Sequence, residues 1–207
     1  DVHVLQLMVQ LENMDILRHM GDTTNTIAEG EVLQLTRAGD PDTSEEQYLD
    51  VITRKTAILF AAGCYGAATL NGENEQTRQT LHDFGLNLGI AFQMIDDVLD
   101  YEGDPATMGK NVGDDLTEGK PTLPLIQVLR EGTAGEKALV HRAISEKTAQ
   151  DIDAVVAAVQ RCGALDYTRA QARLYHDLAL ASLGKLPAGA ARSAMEQITD
   201  LSINRDH

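Results

Sequence analysis

Between Glu75 and Tyr101 the apolar residues Leu81, Phe84, Leu88, Phe92 and Ile95 recur every three or four positions. That spacing places them on one stripe of an α-helix and on no single face of a strand. The same periodicity returns along the rest of the chain. Ala and Leu are abundant, β-branched runs are scarce and no segment convincingly alternates apolar and polar residues, so the expected fold is all-α. The 207 residues contain no stretch of linker composition, which makes residues 1–207 one helical domain, or a large part of one.

Helix limits follow from capping chemistry. Residues Leu5 to Met20 predict a first helix, Gly21 to Asn25 a polar break, and Thr26 with Glu29 a capping box that starts a second. Ser44 and Gln47 form another box, opening one long helix that closes on Asn71-Gly72. A further helix runs from Glu75 to Tyr101, with Asp104-Pro105 as its exit. Glu102 to Thr122 is a polar, glycine-punctuated loop, long for a helical domain and therefore a candidate for function. After it, "LPLIQVLREG" and residues 135–147, 151–162, 164–186 and 188–203 continue as helices. The small residues Ala61, Gly63, Gly66 and Ala67 predict a close core or dimer contact.

The formal net charge is −15, from 32 acidic residues against 17 Lys plus Arg. Such a field repels nucleic acid and anionic lipid, so an anionic substrate needs a local cluster of cations or a metal ion. Cys64 and Cys162 are far apart, and no His stands at ligand spacing from another, which excludes a disulfide framework and a zinc site and fits a reducing cytoplasm. The longest apolar run, Thr56 to Leu70, is shorter than the ~18–20 residues that span a bilayer and reads as a buried helix, so no transmembrane segment is expected. The chain opens on Asp1 without the pattern of a signal peptide, and the expectation is that a preceding segment is missing.

The last two turns of the Glu75–Tyr101 helix carry Asp96, Asp97 and Asp100, preceded by Gln93. On a helix all four can face one cleft. Carboxylates ~4 Å apart repel by roughly 1 kcal/mol in water and ~4 kcal/mol at an effective dielectric near 20. A solvated acidic helix end would tolerate that repulsion. A Mg²⁺ ion, which takes one or two carboxylates, waters and phosphate oxygens, would relieve it. Lys110 and Lys120, in "MGKNVGDD" and "EGKPTLP", add cations from a loop whose glycines let backbone N–H groups approach an anion. An EF-hand starting at Asp97 fails because Leu99 and Tyr101 stand at ligand positions. A Walker A loop fails because Gly113 to Gly119 is one residue too long and Pro121 replaces Ser/Thr.

The stretch "AFQMIDDVLDYEGDPATMGKNVGDDLTEGKPTLPL", with "RKTAILF" and "IAEGEVLQL" upstream and "CGALDYTRAQA" downstream, resembles the trans-polyprenyl diphosphate synthases, and within them the bacterial octaprenyl branch. The resemblance implies an isoprenoid-synthase-type helical bundle around a central active-site cavity, and a homodimer. It also implies Mg²⁺ held with substrate diphosphate by Asp96, Asp97 and Asp100, and allylic diphosphate contacted by Lys55 and Lys110, with Lys120 acting on it through another residue or a water. Thr56 and Gln93 would line the site near the reacting carbons, and Glu31 and Gln34 would belong to the same cleft.

The implied reaction extends an allylic prenyl diphosphate with isopentenyl diphosphate to an all-trans product, octaprenyl by resemblance, for a quinone side chain. The family carries two aspartate-rich motifs and this chain shows one. The first, together with the isopentenyl-binding basic segment and the positions that set product length, would precede Asp1, so the chain alone is expected to be catalytically incomplete. A terpene cyclase and a non-catalytic partner subunit are the competing readings. The cyclase also uses an aspartate-rich helix, but "EGKPTLP" favours the elongase.

Overall fold

The computed structural model describes residues 9–102 and 113–204. Its helices are α1 (Met14–Arg37), α2 (Glu45–Ile52), a π-helical turn (Thr53–Ala57), α3 (Ile58–Leu70), α4 (Glu75–Glu102), α5 (Asp114–Thr117), α6 (Leu123–Glu131), α7 (Ala134–Glu146), α8 (Ile152–Arg161), α9 (Ala164–Leu183) and α10 (Ala190–Ile203). No strand occurs among the described residues, as the periodicity requires.

Helix α4 is the axis of the bundle, packed against α3, α9, α10, α6, α2 and the π turn. It contributes to each of three apolar clusters: Phe84 and Leu88 to one, Ile90, Met94, Ile95 and Leu99 to the next, Val98 and Tyr101 to the last. Helix α9 follows the same path, with Ala179 and Leu183, then Ala172, then Ala164 and Leu165. Of the stripe read from the sequence, Phe84, Leu88 and Ile95 are buried while Leu81 and Phe92 are partly covered. The interior around α4 therefore changes along its length from dry core to the acidic segment without a break in the helix.

Three local expectations change. Helix α1 crosses the polar segment uninterrupted, capped by the Asn13 side chain, which accepts from the N–H groups of Asp15 and Ile16. Thr26 is not an N-cap: its hydroxyl donates to the Asp22 carbonyl at 3.0 Å, and Thr23 and Thr24 donate likewise to His19 and Met20. Satisfied within their own helix, these hydroxyls need no break. The Ser44–Gln47 box forms as read, but the helix it opens widens into the π turn before continuing as α3. Within the functional loop, Asp114–Thr117 form one helical turn, and residues 103–112 lie outside the described residues.

The small-residue run divides. Ala61 is fully buried, pressed against Gly85 of α4, whereas Gly63 and Ala67 are exposed and nothing among the described residues comes within 4 Å of a Cβ added at Gly63 or Gly66. A Cβ on Gly85 would stand 2.5 Å from the Phe60 carbonyl oxygen and 2.8 Å from Ala61 Cα. Helix propensity alone would make Gly→Ala favourable by ~1 kcal/mol. At Gly85 the backbone clash outweighs this, and Gly85→Ala is expected to destabilise the fold by about 1–3 kcal/mol. Gly21→Ala, in open space on α1, should instead stabilise. Urea denaturation checks both through opposite shifts of the midpoint at unchanged slope.

Candidate active site

A cleft of about 230 Å³ opens between α1, α2, the π turn, the acidic segment of α4 and the segment joining α5 to α6. Gln34 and Arg37 reach it from α1, Tyr48 and Ile52 from α2, Lys55 and Thr56 from the π turn, and Gln93, Asp96 and Asp97 from α4. Asp115, Lys120, Pro121 and Thr122 close the remaining wall.

The π turn sits against α1 because residue 30 is glycine: a Cβ there would lie 2.8 Å from the Lys55 nitrogen and 2.9 Å from the Arg54 carbonyl carbon. A π turn inserts a residue into the helical repeat and re-aims the side chains that follow, a device frequent at functional sites. Here it carries Lys55 and Thr56. Lys55 Nζ donates to Gln34 Oε1 at 2.8 Å and pairs with Glu31 Oε1 at 3.2 Å, so two α1 side chains one turn apart hold it.

Beneath the lysine runs a directed hydrogen-bond chain. Thr56 donates to Gln93 Oε1 at 3.1 Å, the Gln93 amide donates to Asp97 Oδ1 at 3.0 Å, and the Tyr48 hydroxyl donates to Asp97 Oδ2 at 2.7 Å. Asp97 is only 2% exposed. Burial raises its pKa to about 8, aided by the charges of Asp115 and Asp96 and opposed by the two hydrogen bonds. Burial and the neighbouring Asp97 push the Tyr48 hydroxyl well above its ordinary value. Burial, more than the neighbouring acids, sets both shifts.

On the facing wall Lys120 Nζ is 2.7 Å from Asp115 Oδ1 and 2.7 Å from Glu118 Oε2. Burial works against its charge, but these two carboxylates outweigh that and hold its pKa above the usual lysine value. Arg37 pairs with Asp40 at 3.4 Å, and its Nε is buried with no hydrogen-bond partner among the described residues.

The cleft thus gathers Gln34, Lys55, Thr56, Gln93, Asp96, Asp97 and Lys120. Glu31 touches it through Lys55, Asp100 lies one turn further along α4 outside its lining, and Lys110 falls outside the described residues. The sequence reading missed Arg37, Tyr48, Asp115 and Thr122. Arg37 carried a signal, standing three positions after Gln34 on the same face of α1. Tyr48 carried one as well, standing two turns before Lys55 in the same helical segment. Among the described residues no three His, Cys, Asp or Glu side chains are arranged to hold a metal ion by themselves. The donor set is nonetheless all oxygen and mutually repelling, which suits a small hard cation that completes its shell with water and ligand oxygens.

A family model described as polyprenyl synthetase matches residues 1–161. The octaprenyl diphosphate synthase of Haemophilus influenzae is 43% identical over 203 residues, covering 98% of this chain and 62% of its own length. An all-trans-nonaprenyl-diphosphate synthase of Rhodobacter capsulatus is 44% identical over 199 residues, 96% of this chain and 61% of its own. A crystal structure of polyprenyl synthase from Caulobacter crescentus, complexed with calcium and isoprenyl diphosphate, matches with a TM-score of 0.94 at 40% identity, over 98% of this chain and 62% of that one. The chain therefore spans about three-fifths of the length of these relatives.

The Asp97 pKa, up to about 8 in the folded chain, lies above that of an unfolded carboxylate. Its protonation therefore contributes stability that is fully present below the unfolded value and is lost as pH rises through about 8. Denaturation in the presence of a chelator should show this component falling between about pH 4 and pH 8, and Asp97→Asn should remove it from the profile. An unchanged pH dependence in the variant contradicts the assignment.

Proposed function

The chain belongs to the polyprenyl synthetase family, and from that membership we propose that the protein carrying it is a prenyltransferase. It extends an allylic prenyl diphosphate with isopentenyl diphosphate to an all-trans polyprenyl diphosphate. The observation that carries the reading is the meeting, in one cleft, of cations that suit a diphosphate, carboxylates that suit Mg²⁺, and an oriented hydroxyl–amide pair.

Lys55, Lys120 and Arg37 bind the diphosphate of the allylic substrate, with Lys110 as a further cation from the loop. Asp96, Asp97 and Asp100 are the residues that would hold Mg²⁺ beside the diphosphate. Each carboxylate has four lone-pair sites. Tyr48 and Gln93 therefore leave Asp97 acceptor capacity. Bound there, Mg²⁺ supplies Lewis-acid stabilisation to the leaving pyrophosphate.

The carbon–oxygen bond of the allylic substrate breaks with its electron pair leaving on pyrophosphate, whose charge the lysines stabilise. Thr56 spends its proton on Gln93, so its oxygen lone pairs remain available to the allylic cation. The alkene of isopentenyl diphosphate attacks that cation, forming the new carbon–carbon bond, and a proton is then lost. The protein's part is orientation and preorganised electrostatics.

The likeness to prenyl diphosphate synthases favours elongation over cyclisation or a non-catalytic partner role. Octaprenyl is the proposed product, for a quinone side chain. The proposed assembly is a single helical domain working in the cytoplasm as a homodimer. No helix of the described residues is long and apolar enough to cross a membrane. Leu59, Gly63, Ala67 and Leu70 form an exposed, mostly apolar stripe on α3, suited to such a contact.

Incubation of the protein with Mg²⁺, farnesyl diphosphate and labelled isopentenyl diphosphate, followed by product sizing, should give a linear polyprenyl diphosphate. Asp96→Ala should lower turnover by ~100-fold or more, the scale for losing one preorganised electrostatic contact, while leaving the unfolding midpoint nearly unchanged. Full activity in that variant, or release of a cyclic hydrocarbon by the parent protein, would sink the proposal.

A further inference from the structure

Two of the cations that line the cleft, Lys55 and Lys120, already have carboxylate partners from their own chain. Glu31 sits on Lys55, and Asp115 with Glu118 sits on Lys120. The two partners of Lys120 are not equivalent. Asp115 is mostly covered and lines the cleft, whereas the Glu118 side chain is 61% exposed and lies just past the end of α5. Glu118 also feels both lysines: its pKa is lowered chiefly by the hydrogen bond from Lys120, with Lys55 adding to the effect.

The backbone beneath Glu118 is fixed. Gly119 adopts φ +70°, its carbonyl accepts the Gly39 N–H at 2.8 Å, and a Cβ there would meet Lys147 Cγ at 2.7 Å and the Gly39 nitrogen at 3.0 Å. The Lys120 N–H is held by the Asp115 carbonyl at 3.0 Å. Glu118 can therefore leave Lys120 by rotating its own side chain into solvent, with no movement of the loop. What it surrenders is one ion pair whose carboxylate end is open to solvent, a weak contact. What it vacates is a face of the ammonium whose other carboxylate partner belongs to the cleft wall.

We infer that Glu118 is a displaceable internal counter-ion, which an incoming diphosphate replaces on Lys120, so that this one side chain limits how tightly the cleft holds its anionic ligand. The inference rests on the reading of the cleft as a diphosphate site. While the cleft is empty, Glu118 neutralises a partly buried cation. When a diphosphate arrives, Glu118 competes with it.

The test is calorimetric titration of the protein with inorganic pyrophosphate in excess Mg²⁺. Glu118→Gln, which keeps the side chain's size and removes its charge, should bind pyrophosphate roughly two- to fivefold more tightly, the range set by the strength of an exposed ion pair. Glu118→Asp, shorter by one methylene, should fall between it and the parent, and it carries the comparison if the first variant does not fold. Glu146→Gln, an exposed acid on α7, removes the same charge from elsewhere on the surface. Affinity unchanged or weaker in Glu118→Gln, or an equal gain in Glu146→Gln, overturns the inference and leaves the diphosphate reading standing. Binding by neither the parent nor Glu118→Gln overturns both. Binding by Glu118→Gln alone supports the inference in its strongest form.

Discussion

A carboxylate buried in an apolar core must be given hydrogen-bond donors or lose its charge, and the elements that meet this demand for Asp97 are the ones that enclose the cleft. Tyr48 brings α2 against α4, Gln93 supplies the second donor from α4 itself, and Thr56 fixes the Gln93 amide from the π turn. The chain of donors has one consistent sense, because the Asp97 oxygens accept and Gln93 must then turn its carbonyl toward Thr56. A single buried acid thereby sets the register of three elements. Gly89 lets α4 approach the π turn closely enough for the Thr56–Gln93 bond to form, since a Cβ there would stand 2.6 Å from Ala57 Cα.

Much of this was legible in the sequence, and the failures have physical causes. The apolar stripe from Leu81 to Ile95 specified α4, and Gln93, Asp96 and Asp97 marked the part of it that lines the cleft. The polar segment around Asp22 to Asn25 was misread as a break because Ser and Thr near helix ends and within helices look alike in sequence. The difference lies in whether the hydroxyl finds the carbonyl four residues earlier, as Thr26 does with Asp22. The π turn left no signal: one widened turn shifts the phase of a helix by a fraction of its period, and five residues are too few for periodicity to register. Arg37 and Tyr48 escaped because each is separated in sequence from the motif it serves and joins it only through the packing of α1 and α2 on the π turn.

The electrostatic design of the cleft runs against that of the molecule. With a net charge of −15 the protein repels anions at a distance, yet Arg37, Lys55 and Lys120 converge on one site. Each of these cations has at least one carboxylate partner within ion-pair distance, namely Asp40, Glu31, and Asp115 with Glu118. Such pairing holds long side chains in place before a ligand arrives, so less conformational entropy is lost on binding. It also means that an anion entering the cleft exchanges partners with the protein's own carboxylates instead of meeting bare charge. Affinity is then a difference between two sets of ion pairs and can be modest even where the local field is strong.

The apolar packing behind the cleft bears on this balance. Ile52, Ala57, Ile90, Met94 and Leu123 form a dry wall directly beneath the polar residues. Low polarizability on one side weakens the screening of every charge in front of it. The environment that raises the Asp97 pKa therefore also strengthens the attraction between the lysines and a bound anion, so the penalty and the benefit share one cause. Replacing the wall with polar side chains would ease the burial of Asp97 and, by the same change in local dielectric, weaken the grip of Lys55 and Lys120. The α4 helix can carry core residues and acids side by side in its last turns because the site draws its strength from being built against that core.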